Sequence, residues 1–329
     1  MRVRIAPDVM AAPDAFRLLD RVLDALFDER HRWEERDPAA VEQSAWASEE
    51  GRAGRRVLDA VEKLLGAQLY EGRKEEQATS MHKMMLTVTL AATPPFALLP
   101  SEAVKALEMP AFVIVENGES DRAFLDAMLR AFGRTDLKDA LDRGLWEVVS
   151  AGGGGEIPKR VAELVAKIGT GPRRVLILSD SDRLTPGEQT KTVKEITSCA
   201  QAHGVTAILL NKREIENYLP YEALWEKSRH RKRCSAYLQL AQEQRDHYDM
   251  KKGFAVDKRI GKVRIPVAQL DLFAAVRPRR VLEDLKDGFG DKVWRCFESM
   301  KIDERAIRNL CPDDEEEIPR LLDVIEALL

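Results

Sequence analysis

The feature that most constrains this chain is a series of strand-then-helix units between Ala111 and Pro220. Four short apolar runs, Ala111 to Val115, Leu145 to Val149, Arg174 to Leu178 and Val205 to Leu210, each end in an acidic, glycine-rich or polar turn. Runs this short and rich in β-branched residues suit strands buried on both faces better than helices. The segments after the first three, Asp121 to Phe132, Pro158 to Ile168 and Pro186 to His203, have helical spacing or helix-starting signals. Strand and helix in alternation predict an α/β fold, a Rossmann-like parallel sheet flanked by helices with right-handed crossovers. Such a sheet presents its chemistry beyond the carboxyl ends of its strands.

The flanking regions read differently. Phe16, Leu19, Val22, Leu23, Leu26 and Phe27, then Val57, Leu58, Val61, Leu64 and Leu65, recur at helical spacing, with a turn and a new helix start at Asp37-Pro38. The opening MRVRIA and Met84 to Ala91 have the alternation of short strands and are candidates to pair with each other. Arg30, Arg32, Glu34, Glu35 and Arg36 read as the charged face of a continuing first helix, and a helix from Ser101 to Leu107 is expected to open on a capping serine. After Pro220 the chain becomes helical and polar: Tyr221 to Lys227, Ala236 to Gln244, Val281 to Leu285 and Ile318 to Leu329, with a hairpin or strand near Val263 to Val267. The acidic run Asp313 to Glu317 sits where carboxylates favour the dipole of a last helix.

A chain of 329 residues with 52 Lys+Arg against 56 Asp+Glu is not basic throughout, so nucleic-acid contact must come from local patches. Cys199, Cys234, Cys296 and Cys311 form no C-x-x-C pair and no ligand spacing with histidine, which is the pattern of reduced thiols in a cytoplasmic protein. No apolar run is long enough to span a membrane and no signal-peptide core opens the chain, so no membrane partner is expected.

Four carboxylates stand at or beyond strand ends: Glu116, Asp180, Asp182 and Glu216. In a parallel sheet all four project from one edge, and a cluster of like charges is unfavourable unless a cation neutralises it. Mg²⁺ or Mn²⁺ is the natural occupant, taking carboxylate oxygens while retaining waters for a substrate phosphate. Asp180 and Asp182, two apart in an extended segment, would point to the same side. Each piece also has a plainer reading. A D-x-D after a strand is a common helix cap or turn, and Asp121 can cap the helix after Ser120. The run Gly152 to Gly155 can be a flexible turn or an anion-cradling loop. The basic run Lys227 to Arg233, with Arg229, Arg231, Lys232 and Arg233, is either a solvated helix surface or a phosphate-contacting patch.

Val115-Glu116 with Gly118 and Ser120-Asp121, then the glycine-rich turn, then Asp180-x-Asp182, resembles the Toprim domain of topoisomerases, bacterial primases and several nucleases. Arg213-Glu214-Ile215-Glu216-Asn217-Tyr218-Leu219 resembles more narrowly the Toprim domains of OLD (overcoming lysogenization defect) nucleases and related phage-defence effectors. The resemblance covers Ala111 to Lys252. It implies Glu116 as metal ligand or general acid/base, Asp180 and Asp182 as metal ligands, and Glu216 as a further ligand. It also implies a phosphate-contacting lysine, Lys251 or Lys252. Two features depart from the pattern: Asn117 separates Glu116 from Gly118, and no G-x-x-x-x-G-K-[ST] nucleotide motif occurs.

These readings give three expected regions: a mainly helical N-terminal domain (1–108), a Toprim-like catalytic domain (109–270) and a helical C-terminal extension (271–329). The expected function is a divalent-metal-dependent endonuclease cutting DNA or RNA, an effector of bacterial defence or repair. A nuclease for structured RNA and a non-cleaving adaptor that binds nucleic acid or a partner are the alternatives. The missing nucleotide motif motivates a homodimer or a separate ATPase or sensor subunit as partner.

Overall fold

The computed structural model describes residues 1–27, 31–34, 37–48, 57–63, 84–257 and 262–329. The fold is α/β, with two four-stranded parallel sheets flanked by helices. In the first sheet β1 (Arg2–Ile5), β2 (Arg32–Trp33), β3 (Met85–Val88) and β4 (Ala97–Leu98) lie in the order β2-β1-β3-β4. In the second, β5 (Ala111–Val115), β6 (Trp146–Ser150), β7 (Val175–Ser179) and β8 (Thr206–Leu209) lie in the order β6-β5-β7-β8. The two sheets share one strand order, although the sequence shows no repeat.

Beside their helices, the described residues of 1–108 build a sheet of their own. The expected pairing of the opening strand with the Met84 segment is present, in parallel, with Arg2 opposite Met85 and Ile5 opposite Val88. Arg32 and Trp33 form a strand rather than continuing the first helix, which ends at Phe27, while Arg30, Glu35 and Arg36 lie outside the described residues. Trp33 is fully buried, and the cost of exposing that indole outweighs the helical preference of its neighbours. Asp37 caps the Pro38–Glu42 helix by accepting from Ala40 N–H at 3.2 Å. Residues 57–63 are helical as expected, and Leu64 and Leu65 lie outside the described residues. The Pro100–Glu108 helix opens on Leu99 with Pro100 in its first turn, not on a capping Ser101.

In the second sheet, period-two geometry divides each central strand between two cores. Ala111, Val113 and Val115 of β5, with Leu176 and Leu178 of β7, face the core built on the Ser120–Ala131 helix. Phe112, Ile114, Val175 and Ile177 face the Ile157–Ile168 and Lys191–His203 helices. A helix missed in the sequence, Thr135–Asp142, fills the turn between the Ser120–Ala131 helix and β6. The last third of the chain adds to the first of these cores: Phe273, Phe297, Ile318, Leu321 and Ile325 are all buried in it. The hairpin places β9 (Ala255–Asp257) antiparallel to β10 (Lys262–Arg264). Arg231–Leu238 and Gln242–His247 replace the single helix expected from Ala236 to Gln244. In the acidic run, Glu317 turns inward and accepts from Asn211 N–H at 2.6 Å, while Asp314 pairs with Arg320 at 2.7 Å. The four cysteines are free thiols.

Phe124 ties the sheet-covering helix to the C-terminal segment, with ring contacts to Tyr218 at 5.6 Å and to Phe297 at 5.5 Å between centroids. It is fully buried. Phe124→Ala is expected to cost about 3–5 kcal/mol of unfolding free energy, against less than about 1.5 kcal/mol for Phe124→Leu. Urea unfolding followed by circular dichroism measures both.

Candidate functional site

The chain passes from β5 to β6 on one side and then returns to lay β7 on the other side of β5. That reversal opens a crevice between neighbouring strands at their carboxyl ends, where ligands bind in open α/β sheets. Glu116 follows β5 directly and Asp180 follows β7 directly. The segment after β8 supplies Glu214 and Glu216, the latter inside a short 3₁₀ turn, Ile215–Tyr218. Residues far apart in sequence are thus delivered to one sheet edge by the parallel register.

Each acid is held in its own way. Glu116 accepts from Ser179 Oγ at 2.7 Å, and its backbone carbonyl accepts from Gly152 N–H at 3.1 Å and Gly153 N–H at 3.0 Å. The glycine run thus spends two amides on the Glu116 carbonyl and works as a seat for Glu116, not as an open anion cradle. Gly153 has φ 132°, which L side chains rarely adopt. At Gly154 a Cβ would stand 3.1 Å from Glu116 Oε2 and 3.1 Å from Thr192 Cγ2, so the carboxylate packs where a side chain would be. Asp121, buried, accepts from Asn117 N–H at 2.9 Å and Ser120 Oγ at 3.0 Å, and so pins the turn that opens the helix. Asp180 Oδ1 accepts from Ile215 N–H at 2.9 Å, joining the β7 and β8 turns.

Asn217 organises the R-E-I-E-N-Y segment. It is 1% exposed, accepts from Glu214 N–H at 2.8 Å and donates to the Arg245 and Tyr248 carbonyls at 2.7 and 3.0 Å. Glu214 accepts from Met250 N–H at 3.2 Å, and Arg213 pairs with Asp249 at 2.9 Å. These bonds bring the residue after Met250 back to the acids: Lys251 Nζ lies 3.0 Å from Glu216 Oε2. Glu216 is 0% exposed and neither carboxylate oxygen has a hydrogen bond of good geometry; the lysine offers an ion pair on one side only.

The electrostatics follow from this packing. Burial raises the pKa of Asp180 well above the ordinary range, and the charges of Glu116, Asp121 and Glu216 raise it further. Burial also raises Glu116, against the Ser179 hydrogen bond and with the help of Asp182 and Asp121. Glu214 is pushed up to about 7, chiefly by burial. Burial disfavours the charge on Lys251, yet Glu216, Glu214 and Asp180 together raise its pKa above that of a free lysine. A single ammonium therefore faces a group of carboxylates that could take a further cation.

Of the expected site residues, Glu116, Asp180, Glu216 and Lys251 are brought together. Asp182 is exposed, and its φ of 53° bends the backbone out of the extended form that would have aimed Asp180 and Asp182 alike. It remains close enough for its charge to raise the pKa of Glu116. Lys252 is exposed, with its N–H on Asp249 Oδ1 at 2.6 Å. In the basic run Arg229, Arg231 and Lys232 are exposed, Arg231 lying 4.5 Å from the Trp225 ring centroid. Arg233 is drawn inward to the Gly288 carbonyl at 2.6 Å and to Asp287 at 3.1 Å, so it anchors the fold. Sequence reasoning missed Ser179, Glu214 as a second buried acid, and Trp294, which lines the cleft with Asp291. Ser179 and Glu214 lay inside motifs already visible; Trp294 sits in a stretch without periodicity and carried no signal. Among the described residues, no three His, Cys, Asp or Glu side chains already converge as a formed metal site.

The class defined by fold and site is thus an α/β protein with an acidic, lysine-containing cleft at the switch point of a parallel sheet. Comparison with protein-family models, with curated proteins and with solved structures gives no match. No helix among the described residues is long and apolar enough to cross a membrane.

Acids with raised pKa bind more protons folded than unfolded, so they cost stability as pH rises from their unfolded value through their folded one. For Glu214 that window runs from 4.5 to about 7. Lys251→Met removes the ammonium and raises these acids further. In metal-free buffer the variant should lose about 3 kcal/mol relative to the parent near neutrality and progressively less as pH falls to the lower end of that window. Urea titrations across the range check both size and slope.

Proposed function

We propose that this protein is a divalent-metal-dependent nuclease of the Toprim-like type, hydrolysing phosphodiester bonds of DNA or RNA. The observation that carries the reading is Glu216: a fully buried carboxylate without well-formed hydrogen bonds, next to Asp180 and Lys251. A buried ionised group in this state is expensive unless a cation completes its surroundings. The donor set is all carboxylate oxygen, which suits Mg²⁺ or Mn²⁺. The resemblance of Glu116, Asp180-x-Asp182 and the R-E-I-E-N-Y segment to OLD-type nucleases, and with it an anti-phage role, points the same way.

Asp180 and Glu216 would hold the ion, with Asp182 reaching it by a change of backbone or through water. When bound, the ion would lower the pKa of a coordinated water and offset charge on the phosphate. Glu116, its proton affinity raised by burial and oriented by Ser179, would accept or return a proton at the cleft. Lys251 can offer its ammonium to the non-bridging phosphate oxygens, where charge grows in the transition state. Arg229, Arg231 and Lys232 would hold flanking phosphates as exposed charges.

One observation favours a second reading, a non-cleaving adaptor that binds nucleic acid or a partner. Lys251 already supplies a counter-charge to Glu216, so the acids can persist without an ion. Calorimetry with Mn²⁺ separates the two: the nuclease binds the ion at a site lost in Glu216→Gln and Asp180→Asn, and the adaptor does not. In parallel, both variants should lower Mg²⁺- or Mn²⁺-dependent cleavage of plasmid, single-stranded DNA or tRNA by about a thousandfold or more. Lys252→Ala should leave it within a few fold. Full activity in Asp180→Asn would overturn the assignment.

A further inference from the structure

The acidic cleft has an aromatic wall that the proposed hydrolysis does not itself require. Trp294 is half-buried and lines the cleft beside Glu116, Asp180 and Lys251. Its mounting is rigid. The 3₁₀ segment Val293–Glu298 buries Val293, Cys296 and Phe297 on its inner side, which leaves Trp294 on the cleft side. Phe297 packs edge-on against Phe124 of the helix that follows Glu116, and Arg130 of that same helix donates to the Phe297 and Ser299 carbonyls at 2.9 and 3.1 Å. Ser299 Oγ in turn donates to Glu226 at 2.8 Å. The segment that carries the indole is thus held by the same helix whose first turn carries the Asp121 hydrogen bonds at the cleft.

In the stretch that carries Trp294, charges of both signs are exposed, Asp291 and Glu298 among the acids. Lys292, Arg295 and Lys301 are exposed, and the Arg295 guanidinium carbon lies 5.5 Å from the Trp294 ring centroid. A tryptophan with a guanidinium over its ring and a lysine in the same cleft matches the elements used to bind single strands, where bases stack on aromatic faces and the backbone follows the charges. Paired bases are stacked on one another and offer no free face to such a wall.

We propose that Trp294 is a stacking platform for an unpaired nucleobase next to the phosphate held at Lys251, and that the substrate class is single-stranded or locally unpaired nucleic acid. This rests on the nuclease reading for its choice of ligand, but binding tests it without hydrolysis. The probe is a fluorescein-labelled short oligothymidylate, titrated against the full chain in EDTA, with its oligoadenylate duplex and an abasic strand of equal length as controls. The parent should bind the oligothymidylate most tightly. Trp294→Leu, which keeps an apolar side chain but no ring, should weaken that binding about tenfold or more and leave the duplex and abasic strands unchanged. Trp294→Phe should recover most of the loss. Should the leucine variant fold poorly, quenching of the parent's tryptophan fluorescence by oligothymidylate, absent in Trp294→Phe, reads the same contact. Equal affinity of parent and Trp294→Leu for the oligothymidylate, or an equal loss for duplex and abasic strands, overturns the proposal. Loss of the nuclease reading shows elsewhere, as absent cleavage by the parent protein with stacking intact.

Discussion

Compensation of like charges governs this molecule. Parallel strands in the order β6-β5-β7-β8 deliver Glu116, Asp180 and the acids after β8 to one edge, and each arrives at a buried or half-buried position. Unrelieved, such a group would shed its charges or drive the turns apart. The relief is local and specific: Ser179 for Glu116, the Ile215 amide for Asp180, the Asn117 and Ser120 donors for Asp121, and the Lys251 ammonium for Glu216. Glu216 receives the least.

The other parts of the fold serve to bring Lys251 to that place. Asn217 joins the β8 turn to the Gln242–His247 helix, and Glu214 receives Met250 N–H, so the chain re-enters the cleft at residue 251. The C-terminal segment holds the outer side of that turn: Phe289 N–H donates to the Met250 carbonyl at 2.7 Å and Gly290 N–H to that of Lys251 at 3.0 Å. The C-terminal segment is packed into the same core as the Ser120–Ala131 helix and supplies a wall of the cleft.

The sequence made the second sheet legible because its strands are apolar on both faces and its turns carry acids or glycine. Ala111–Val115 was read to the residue, and the helix after it to within one. The first sheet was harder: Arg32–Trp33 and Ala97–Leu98 are two-residue strands whose only signal is a burial pattern set by tertiary contact. Glu116 and Asp180 follow β5 and β7 directly, so topology alone places them. Asp182 and Arg233 were misjudged in aim, because a positive φ at one and a carbonyl partner at the other are products of the loops they meet. Trp294 has no motif to announce it, as its place in the cleft depends on a helix more than a hundred and fifty residues earlier in the chain.

The glycine tract after β6 divides into unequal parts. Gly152 and Gly153 are bound to left-handed or otherwise forbidden backbone, with φ 87° and 132°, and Gly154 to the space filled by Glu116, whereas Gly155 has ordinary φ and open space around it. Homologous chains that preserve the same cleft should therefore spell this turn as three invariant glycines and one variable letter, so that a tract resembling a loose spacer would reveal itself in an alignment as a fingerprint of carboxylate placement.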